Sequence, residues 1–560
     1  MSLSPSKPGL EDKLAKIQRD AEERDAKQRA VKLGYSYIDL KTAPVQIDSL
    51  KILSKKEAEE GKCAVLALKR DTIVVVVYDP ALPSTKNVLD VLHKKEKNLE
   101  IKIGSLAGLK HIWNFYEFIG EDLSAIAGKV EIDEGRIASL KEALKSLASA
   151  KEAIENAIKA KVATGQILEI VLASALALKG SDIHFEPAKD DVKIRLRIDG
   201  LLHDLYTGLS LPDYFFILSR VKLLASMKLN IHAAAQDGRF SVTMGGKSIE
   251  IRASALPSEY GETVVLRVLD PDTIMLTLQD LGLNDEDLAI IKEELARPNG
   301  MILNTGPTGS GKTTTLYAFL VSVNEPESKI ITLEDPIEYH LPGIEQTQVN
   351  AEAGYTFASG LRSIVRQDPD IILIGEIRDL ETADIALNAA LTGHLVFSTL
   401  HTNDSFGAIP RLVDLGVKTA ILGPALNLII AQRLVRSLCK KCKAPLMIND
   451  NLKNNIQKFI ESLPARVPRE RYKDYVIYNQ KGCSVCNGIG YKGRTAVVEL
   501  LRVDEEVNRL ISKDISDVDI KKAVKAQGVV TVQQAGILRI LQGVTTFEEV
   551  ERITGPIKWP

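Results

Sequence analysis

Cysteine is scarce, with five in 560 residues. That is too few for a disulfide scaffold. Charge of one sign is also missing. Lys+Arg number 72 against Asp+Glu 74, a net charge of −2, which excludes a basic coat for nucleic acid or membrane surfaces as a global property. Aromatic residues make up 5% and are not interleaved with basic runs as a base-stacking groove requires. Long apolar runs are absent. The most apolar stretch, Ile73 to Tyr78 (IVVVVY), has the length of a buried strand. The segment 419–431 is interrupted by Gly423, Pro424 and Asn427. The first residues, with Glu11, Asp12, Lys13 and Arg19, lack an apolar signal-peptide core. The expectation is a soluble cytoplasmic chain whose membrane role, if it has one, runs through a partner. No fixed-period repeat is visible.

What is present is 45% apolar residues, sufficient for packed cores, in a length that suggests about three to five domains. Residues 1–32 read as a charged arm, with 10–32 a solvated helix or a mobile arm rather than a core element. Residues 33–120 turn globular, with strand signals across Ala64–Tyr78. The Ala-, Glu-, Lys- and Leu-rich stretch 121–165 favours a helical linker. From 166 to 270, strands and helices mix without strict alternation, an α+β pattern. A connector, 271–298, leads to a region, 299–437, where strands and helices alternate, which predicts a mostly parallel sheet. Residues 438–490 hold the cysteine pairs, and the chain beyond Pro410, including 491–560, reads as mainly helical.

Residues 306–313 read GPTGSGKT, and Gly306, Gly311, Lys312 and Thr313 fill the fixed positions of a phosphate loop. Glycines let the backbone curl so that successive N–H groups point inward at phosphate oxygens, and the following helix adds its positive end. The cradle comprises Gly306, Pro307, Thr308, Gly309, Ser310, Gly311, Lys312, Thr313 and Thr314. Lys312 reaches for the β- and γ-phosphates of ATP, and the Thr313 hydroxyl is the Mg²⁺ ligand. A glycine-rich turn before a helix is the plainer alternative, but the preceding strand MILNT and the helix that follows supply the context the motif requires.

Hydrolysis also needs carboxylates. Two later strand signals end in acids: Glu334, within EDPIE, and Glu376, within GEIRD. Carboxylates at the carboxyl ends of parallel strands sit beside the ligand crevice. His394 and His401 bracket the strand LVFSTL. From spacing alone, a γ-phosphate hydrogen bond and a structural role are equally supported, and a shared metal is not. Cys439/Cys442 and Cys483/Cys486 form two C-x₂-C knuckles, a tetrahedral Cys₄ set for structural Zn²⁺. Lys440, Lys441, Lys443 and Lys481 lie nearby to offset thiolate charge. Cys63 reads as a bystander thiol.

Taken together, these segments resemble the secretion ATPases of type II secretion and type IV pilus assembly. GPTGSGKTTTLYAFL is similar to the family's Walker A segment, ITLEDPIEY to its aspartate box, LRSIVRQDPDIILIGEIRD to its Walker B region and LTGHLVFSTLHTNDSFGAIPRL to its histidine box. Upstream, SDIHFEP, IRLRIDG, LSRVKLLA and QDGRF resemble the domain preceding the motor core, and residues 34–119 more weakly resemble the N-terminal domain. The implied fold class is α/β: a RecA-like phosphate-loop motor core, a preceding α+β domain, an N-terminal α/β adaptor domain and a small Cys₄ zinc subdomain. The resemblance implies a homo-hexameric ring that hydrolyses ATP and works on a membrane platform protein. By the same resemblance Glu334 polarises the attacking water and Glu376 supports the Mg²⁺ side. Assembly-type members carry such a tetracysteine set, whereas retraction-type members generally lack it.

A γ-phosphate in transfer needs cations beyond one lysine and Mg²⁺. The upstream domain offers Arg195, Arg197, Arg220, Arg239 and Arg252, with Arg195, Arg197 and Arg220 the leading candidates. Arg195 and Arg197 share one strand face. Some relatives bind cyclic di-GMP through a long arginine-leucine-glycine motif. Here KLGYSYIDL retains only a fragment of it, so tight cyclic di-GMP binding is not expected. Pilus assembly is the leading reading, type II secretion or competence its neighbours, and a nucleic-acid translocase or a non-hydrolysing scaffold the rivals from other classes.

Overall fold

The computed structural model describes residues 10–40, 43, 47–69, 72–93, 98–118, 129–131, 140, 143–160, 162, 164–244, 247–270, 276–512 and 517–560. The chain divides into two compact units, Met1–Ile198 with Leu202–Val268, and Asp199–Leu201 with Leu269–Pro560.

The first unit holds two sheets. Strands β1 (Ser36–Tyr37), β2 (Cys63–Lys69), β3 (Thr72–Val77) and β4 (Asn98–Ile103) form a sheet in the order β1-β4-β3-β2. Ile73 to Val77 are all buried, which explains why this strand reads as an unbroken apolar run rather than an alternating one. Cys63 is fully buried here, and burial pushes its thiol up to about 12. The expectation of a solvated arm needs correction. Helix Leu10–Leu33 docks on this sheet through Ala26 and Ala30, both buried. Glu23 accepts from the Tyr37 and Ser105 hydroxyls, each at 2.6 Å, and Glu22 accepts from the Ala107 backbone N–H at 2.9 Å. Small alanines form a contact stripe that the surrounding charge obscures, and carboxylates near the first turn of helix Leu106–Asn114 favour its positive end.

The second sheet comprises β5 (Lys129–Glu131), β6 (Gly180–Pro187), β7 (Val192–Ile198), β8 (Leu201–Leu209), β9 (Gln236–Met244), β10 (Lys247–Ser258) and β11 (Gly261–Leu269), in the order β5-β9-β10-β11-β6-β7-β8. Burial alternates strictly along β7. One face packs Ile183, Phe185, Ile194 and Leu196 against helices Thr164–Ala177 and Leu211–Leu224, and the other stays polar. Within the stretch read as a helical linker, helix Leu147–Lys159 is present, but Lys129–Glu131 is a strand paired parallel with β9. Three residues suffice for an edge strand when a neighbour supplies the hydrogen bonds, and helix propensity is too weak to oppose that. Linker residues 121–128, 132–139, 141, 142, 161 and 163 lie outside the described residues, as do 1–9 of the arm and 271–275 of the connector.

The second unit is built on β12 (Gly300–Thr305), β13 (Ile330–Glu334), β14 (Glu345–Gln348), β15 (Ile371–Ile374), β16 (Leu395–Leu400), β17 (Leu426–Leu438) and β20 (Tyr491–Arg502), in the order β14-β13-β15-β16-β12-β17-β20. All neighbours are parallel except β17 and β20, which pair antiparallel. A two-stranded ribbon, β18 (Ala444–Pro445) with β19 (Tyr478–Asn479), lies in the excursion between them. The expectation of a mainly helical region beyond Pro410 is therefore wrong for two long strands. Helix Thr419–Ala425 ends beside Pro424, and the chain enters β17 at Leu426. Residues 426–432 are buried without alternation, so no period-two signal exists to read.

Candidate active site

The parallel register aligns the carboxyl ends of the strands. Thr305 pairs with Leu400 on one side and Ala431 on the other, and Leu333 pairs with Ile374. The residues that follow these partners therefore gather at one edge of the sheet: the phosphate loop, His401, Gln432, Glu334 and Gly375-Glu376. This is the edge where α/β sheets bind ligands.

Gly306 and Gly311 adopt φ of 151° and 86°. A Cβ on Gly306 would lie 2.6 Å from the Gln432 carbonyl oxygen, so only glycine fits. Helix Lys312–Val323 starts directly after Gly311 and aims its free N–H groups into the loop. Pro307, Thr308 and Gly309 form the exposed rim, Thr313 is exposed and Thr314 half-buried. The Ser310 hydroxyl is buried with no hydrogen-bond partner among the described residues. Lys312 curls back, its Nζ donating to Gly306 O at 2.7 Å and Pro307 O at 3.3 Å. Burial pulls the Lys312 ammonium below its ordinary range, Glu376 opposes that and Arg433 adds to it. A desolvated lysine over inward-facing N–H groups is a site for a polyanion.

The two acids differ. Glu376 is about one-fifth exposed, faces Arg378, and lies 3.4 Å from His401 Nε2. Glu334 is 3% exposed and accepts from the Tyr317 hydroxyl, from Thr332 Oγ1 at 2.6 Å and from Gln346 Nε2 at 3.2 Å. Burial raises its carboxyl above the usual range, and these three donors pull it back down in part. Tyr317 stands on the helix that follows the phosphate loop, so the loop and Glu334 are linked by one rigid element.

The histidines part company. His401 follows β16 beside Glu376, whereas His394 precedes β16, with its Nδ1 2.9 Å from Ala389 O. A strand advances ~3.3 Å per residue, so the two are roughly 20 Å apart. His394 therefore lies at the amino end of the sheet, away from the phosphate loop, with its ring against the Ala389 carbonyl.

Sequence reasoning passed over Gln432, Tyr317, Gln346 and Arg433. A signal for two of them is legible: Gln432-Arg433 interrupts the apolar run LIIAQRLV. Gln432 is buried beneath the loop, and Arg433 donates to Asn403 O at 2.9 Å, spanning β17 to the turn after β16.

In the first unit Arg195 and Arg197 lie on the polar face of β7, where Arg195 pairs with Glu186 at 2.6 Å and Arg197 with Asp182 at 3.3 Å. Arg220 is half-buried on helix Leu211–Leu224. Arg239 and Arg252 face each other across β9 and β10.

The four cysteine sulfurs all lie within 4.8 Å of one another, with Cys439–Cys483 at 3.9 Å and Cys442–Cys486 at 3.7 Å. Zn–S bonds of ~2.3 Å in a tetrahedron place sulfurs about 3.8 Å apart. The donor set and spacing fit zinc. Backbone N–H groups of Cys483 and Gly490 donate to Cys486 Sγ, each at 3.2 Å, as thiolate ligands require.

The model of the type II/IV secretion system protein family matches residues 159–552. The chain belongs to this family. It is 37% identical to the type IV pilus assembly ATPase PilB of Myxococcus xanthus over 530 residues, 93% of this chain and 89% of that one. It is 45% identical to the type II secretion system protein E of Dickeya dadantii over 389 residues, 70% of this chain and 75% of that one. The fold is also that of the Legionella pneumophila ATPase DotB, with a TM-score of 0.50 at 22% identity, covering 69% of this chain and 94% of that one. This family member is an ATP-hydrolysing enzyme with a mixed α/β fold. No helix among its described residues is long and apolar enough to cross a membrane.

Proposed function

We propose that this chain is a cytoplasmic motor of type IV pilus assembly, working as a homo-hexamer on a membrane platform protein. One observation carries the choice over type II secretion. Similarity to the pilus assembly relative runs over 93% of the chain, whereas similarity to the type II secretion relative stops at 70%. The motor core is common to both machines, so the extra matched length, which must include part of the N-terminal unit, is what separates them. The higher identity over the shorter span, 45%, supports type II secretion as the second reading.

The chemistry follows from the site. The phosphate loop and Lys312 bind the β- and γ-phosphates, and the exposed Thr313 hydroxyl and Glu376 would hold Mg²⁺, which would supply charge neutralisation. His401 fixes the Glu376 carboxylate. Glu334, aimed by Tyr317, Thr332 and Gln346, polarises the attacking water after a small outward movement. Arg195, Arg197 and Arg220 supply the remaining cations once the arginine-bearing sheet meets a nucleotide. Cys439, Cys442, Cys483 and Cys486 hold structural zinc, and the closed four-thiolate set leaves no position for catalysis.

ATP turnover measured together with assembly state, with and without the cytoplasmic domain of a pilus platform protein, tests the proposal. Six-fold assembly and stimulation by that domain are expected. Stimulation only by a type II secretion platform would move the chain to the second reading. Stimulation by DNA or RNA alone would sink both.

A further inference from the structure

The turn after β16 begins at His401 and runs to Ser405 across one face of the motor sheet. The strand register shows which residues share that face. Leu400 of β16 pairs with Thr305 of β12, Thr305 with Ala431 of β17, and Ala431 with Glu499 of β20. Directly paired residues point the same way, so these four form one row. Arg433, two residues along β17 from Ala431, shares their face.

The turn is fastened to this face at three points. The Thr402 backbone N–H donates to Thr305 Oγ1 at 2.8 Å, and the two threonine hydroxyls lie 2.6 Å apart. Arg433 donates to Asn403 O at 2.9 Å. Ser405 donates twice to one oxygen of Glu499, from its N–H at 2.9 Å and from its Oγ at 2.6 Å. Glu499 is 4% exposed and Ser405 is fully buried. The other Glu499 oxygen accepts from the Val532 N–H at 3.3 Å, at the start of helix Val532–Leu541, whose positive end favours a carboxylate. Three donors converge on the two oxygens. An acceptor-only group satisfies all of them, and an amide, with one end a donor, does not. The same charge opposes the burial that pulls the Arg433 guanidinium below its ordinary range.

We infer that Glu499 is a positioning residue for ATP hydrolysis: it fixes the far end of the turn that starts at His401, and so holds that imidazole against Glu376. The inference rests on the roles proposed above for His401 and Glu376. His401 Nε2 lies 3.4 Å from Glu376 Oε2, yet the His401 side chain is 56% exposed. Water does little to hold an exposed ring, so its place is set by the backbone that carries it. Of the three anchors of that backbone, Glu499 is the one carboxylate, and hydrogen bonds to an ionised acceptor are the stronger kind. Misplacing a catalytic group by about 1 Å can cost on the order of 10²-fold in rate.

The test uses the full chain, with assembly state and melting temperature recorded for each variant. Glu499→Gln should lower kcat by about tenfold or more, with KM for ATP changed by less than about threefold. Ser405→Ala removes the hydroxyl and keeps the N–H bond, so its loss in kcat should be smaller, roughly fivefold. The deciding measurement is a double-mutant cycle with His401→Ala. If Glu499 acts through the imidazole, neither change should slow the His401→Ala protein by more than about twofold. Losses that multiply with that of His401→Ala would show general support of the fold and overturn the inference, as would a loss carried by KM alone. Wild-type kcat in Glu499→Gln beside an impaired His401→Ala would also overturn it, while leaving the proposed site intact. Wild-type turnover in His401→Ala would remove the role of His401 and the inference with it. If Glu499→Gln does not assemble, the Ser405→Ala cycle decides by the same criterion.

Discussion

The Gln432 side-chain amide lies beneath the phosphate loop and donates to the Ser310 carbonyl at 3.0 Å. Its oxygen accepts from Asn304 Nδ2 at 3.1 Å and from Thr315 Oγ1 at 2.9 Å. One buried amide thereby ties β17 to the strand before the loop, to the loop itself and to the helix after it. Removing it leaves buried partners unsatisfied, at about 1–3 kcal/mol each. Gln432→Ala should raise the dissociation constant for ATP by roughly tenfold or more and lower the melting temperature. Gln432→Glu, which sets an anion under the loop, should weaken nucleotide binding further. Fluorescent-nucleotide titration reads both, and unchanged affinity in both variants would refute the role.

Tyr317→Phe keeps the ring that packs edge-on against Tyr339 at 4.5 Å and removes only the hydroxyl that donates to Glu334. Burial already raises the Glu334 carboxyl, and Glu338 pushes it the same way. Without one of its three donors the carboxyl rises again. A hydrogen bond to a charged group favours the charged form, so the acid limb of the kcat profile should move to higher pH. The variant should be most impaired at the acid end of the profile and recover as pH rises. A uniform loss at every pH would show the hydroxyl to be structural only.

Glu376→Gln and Glu334→Gln should each leave nucleotide binding measurable while lowering phosphate release by about 10²-fold or more. In the proposed mechanism Glu376 acts from a partly exposed position and Glu334 from a buried one. Adding Tyr317→Phe to Glu334→Gln should therefore cost little more, because the hydroxyl acts through that carboxylate. Independent, multiplying losses would contradict this wiring.

Purified under reducing, chelator-free conditions, the chain should carry about one zinc ion, and Cys442→Ser should lose it. The expected result is a lower melting temperature with ATP affinity preserved, since the four thiols lie in the excursion between β17 and β20, outside the phosphate loop. Absence of zinc in the wild-type protein by elemental analysis would end the assignment.

In the first unit Lys222 Nζ donates to Glu262 at 2.7 Å, and His232 Nδ1 lies 2.5 Å from the same carboxylate. Both Lys222 and Glu262 are at most 2% exposed. Burial alone would raise the Glu262 carboxyl, but the bonds from His232 and Lys222 prevail and hold it below its ordinary value. A folded value below the unfolded one means the stabilisation is fully present above about pH 4.5 and is lost as pH falls through the folded value. Glu262→Gln should strand the lysine charge, destabilise this unit by ~3–5 kcal/mol and flatten its acid transition. Denaturant unfolding at pH 7 and pH 4 checks the sign. Equal stability of variant and wild type at pH 7 would remove the pair from the account.

How much was legible depended on range. GPTGSGKT is readable because every part of a phosphate loop is made by consecutive residues: strand, glycines, lysine and helix start. The two C-x₂-C knuckles are readable for the same reason. Glu334 and Glu376 could be placed at strand ends from local pattern alone. The difference between them, one open to the crevice and the other enclosed by donors from three elements, could not. β17 and β20 were missed because burial on both faces erases alternation, and the docking of helix Leu10–Leu33 because its contact stripe is made of alanine.

The sequence by itself determined the chemistry available: a phosphate cradle, carboxylates on successive strands, arginines on an upstream strand and four thiols in two turns. Each is a pattern within a few residues, where covalent spacing leaves little freedom. The tertiary structure decided which of these groups meet. It took His394 roughly 20 Å from His401, because a strand fixes its ends apart. It brought Gln432 under Ser310 across 122 residues and set Ser405 against Glu499 across 94. Pairings of that kind come from sheet order and register, which depend on how whole faces bury and which no local spacing encodes.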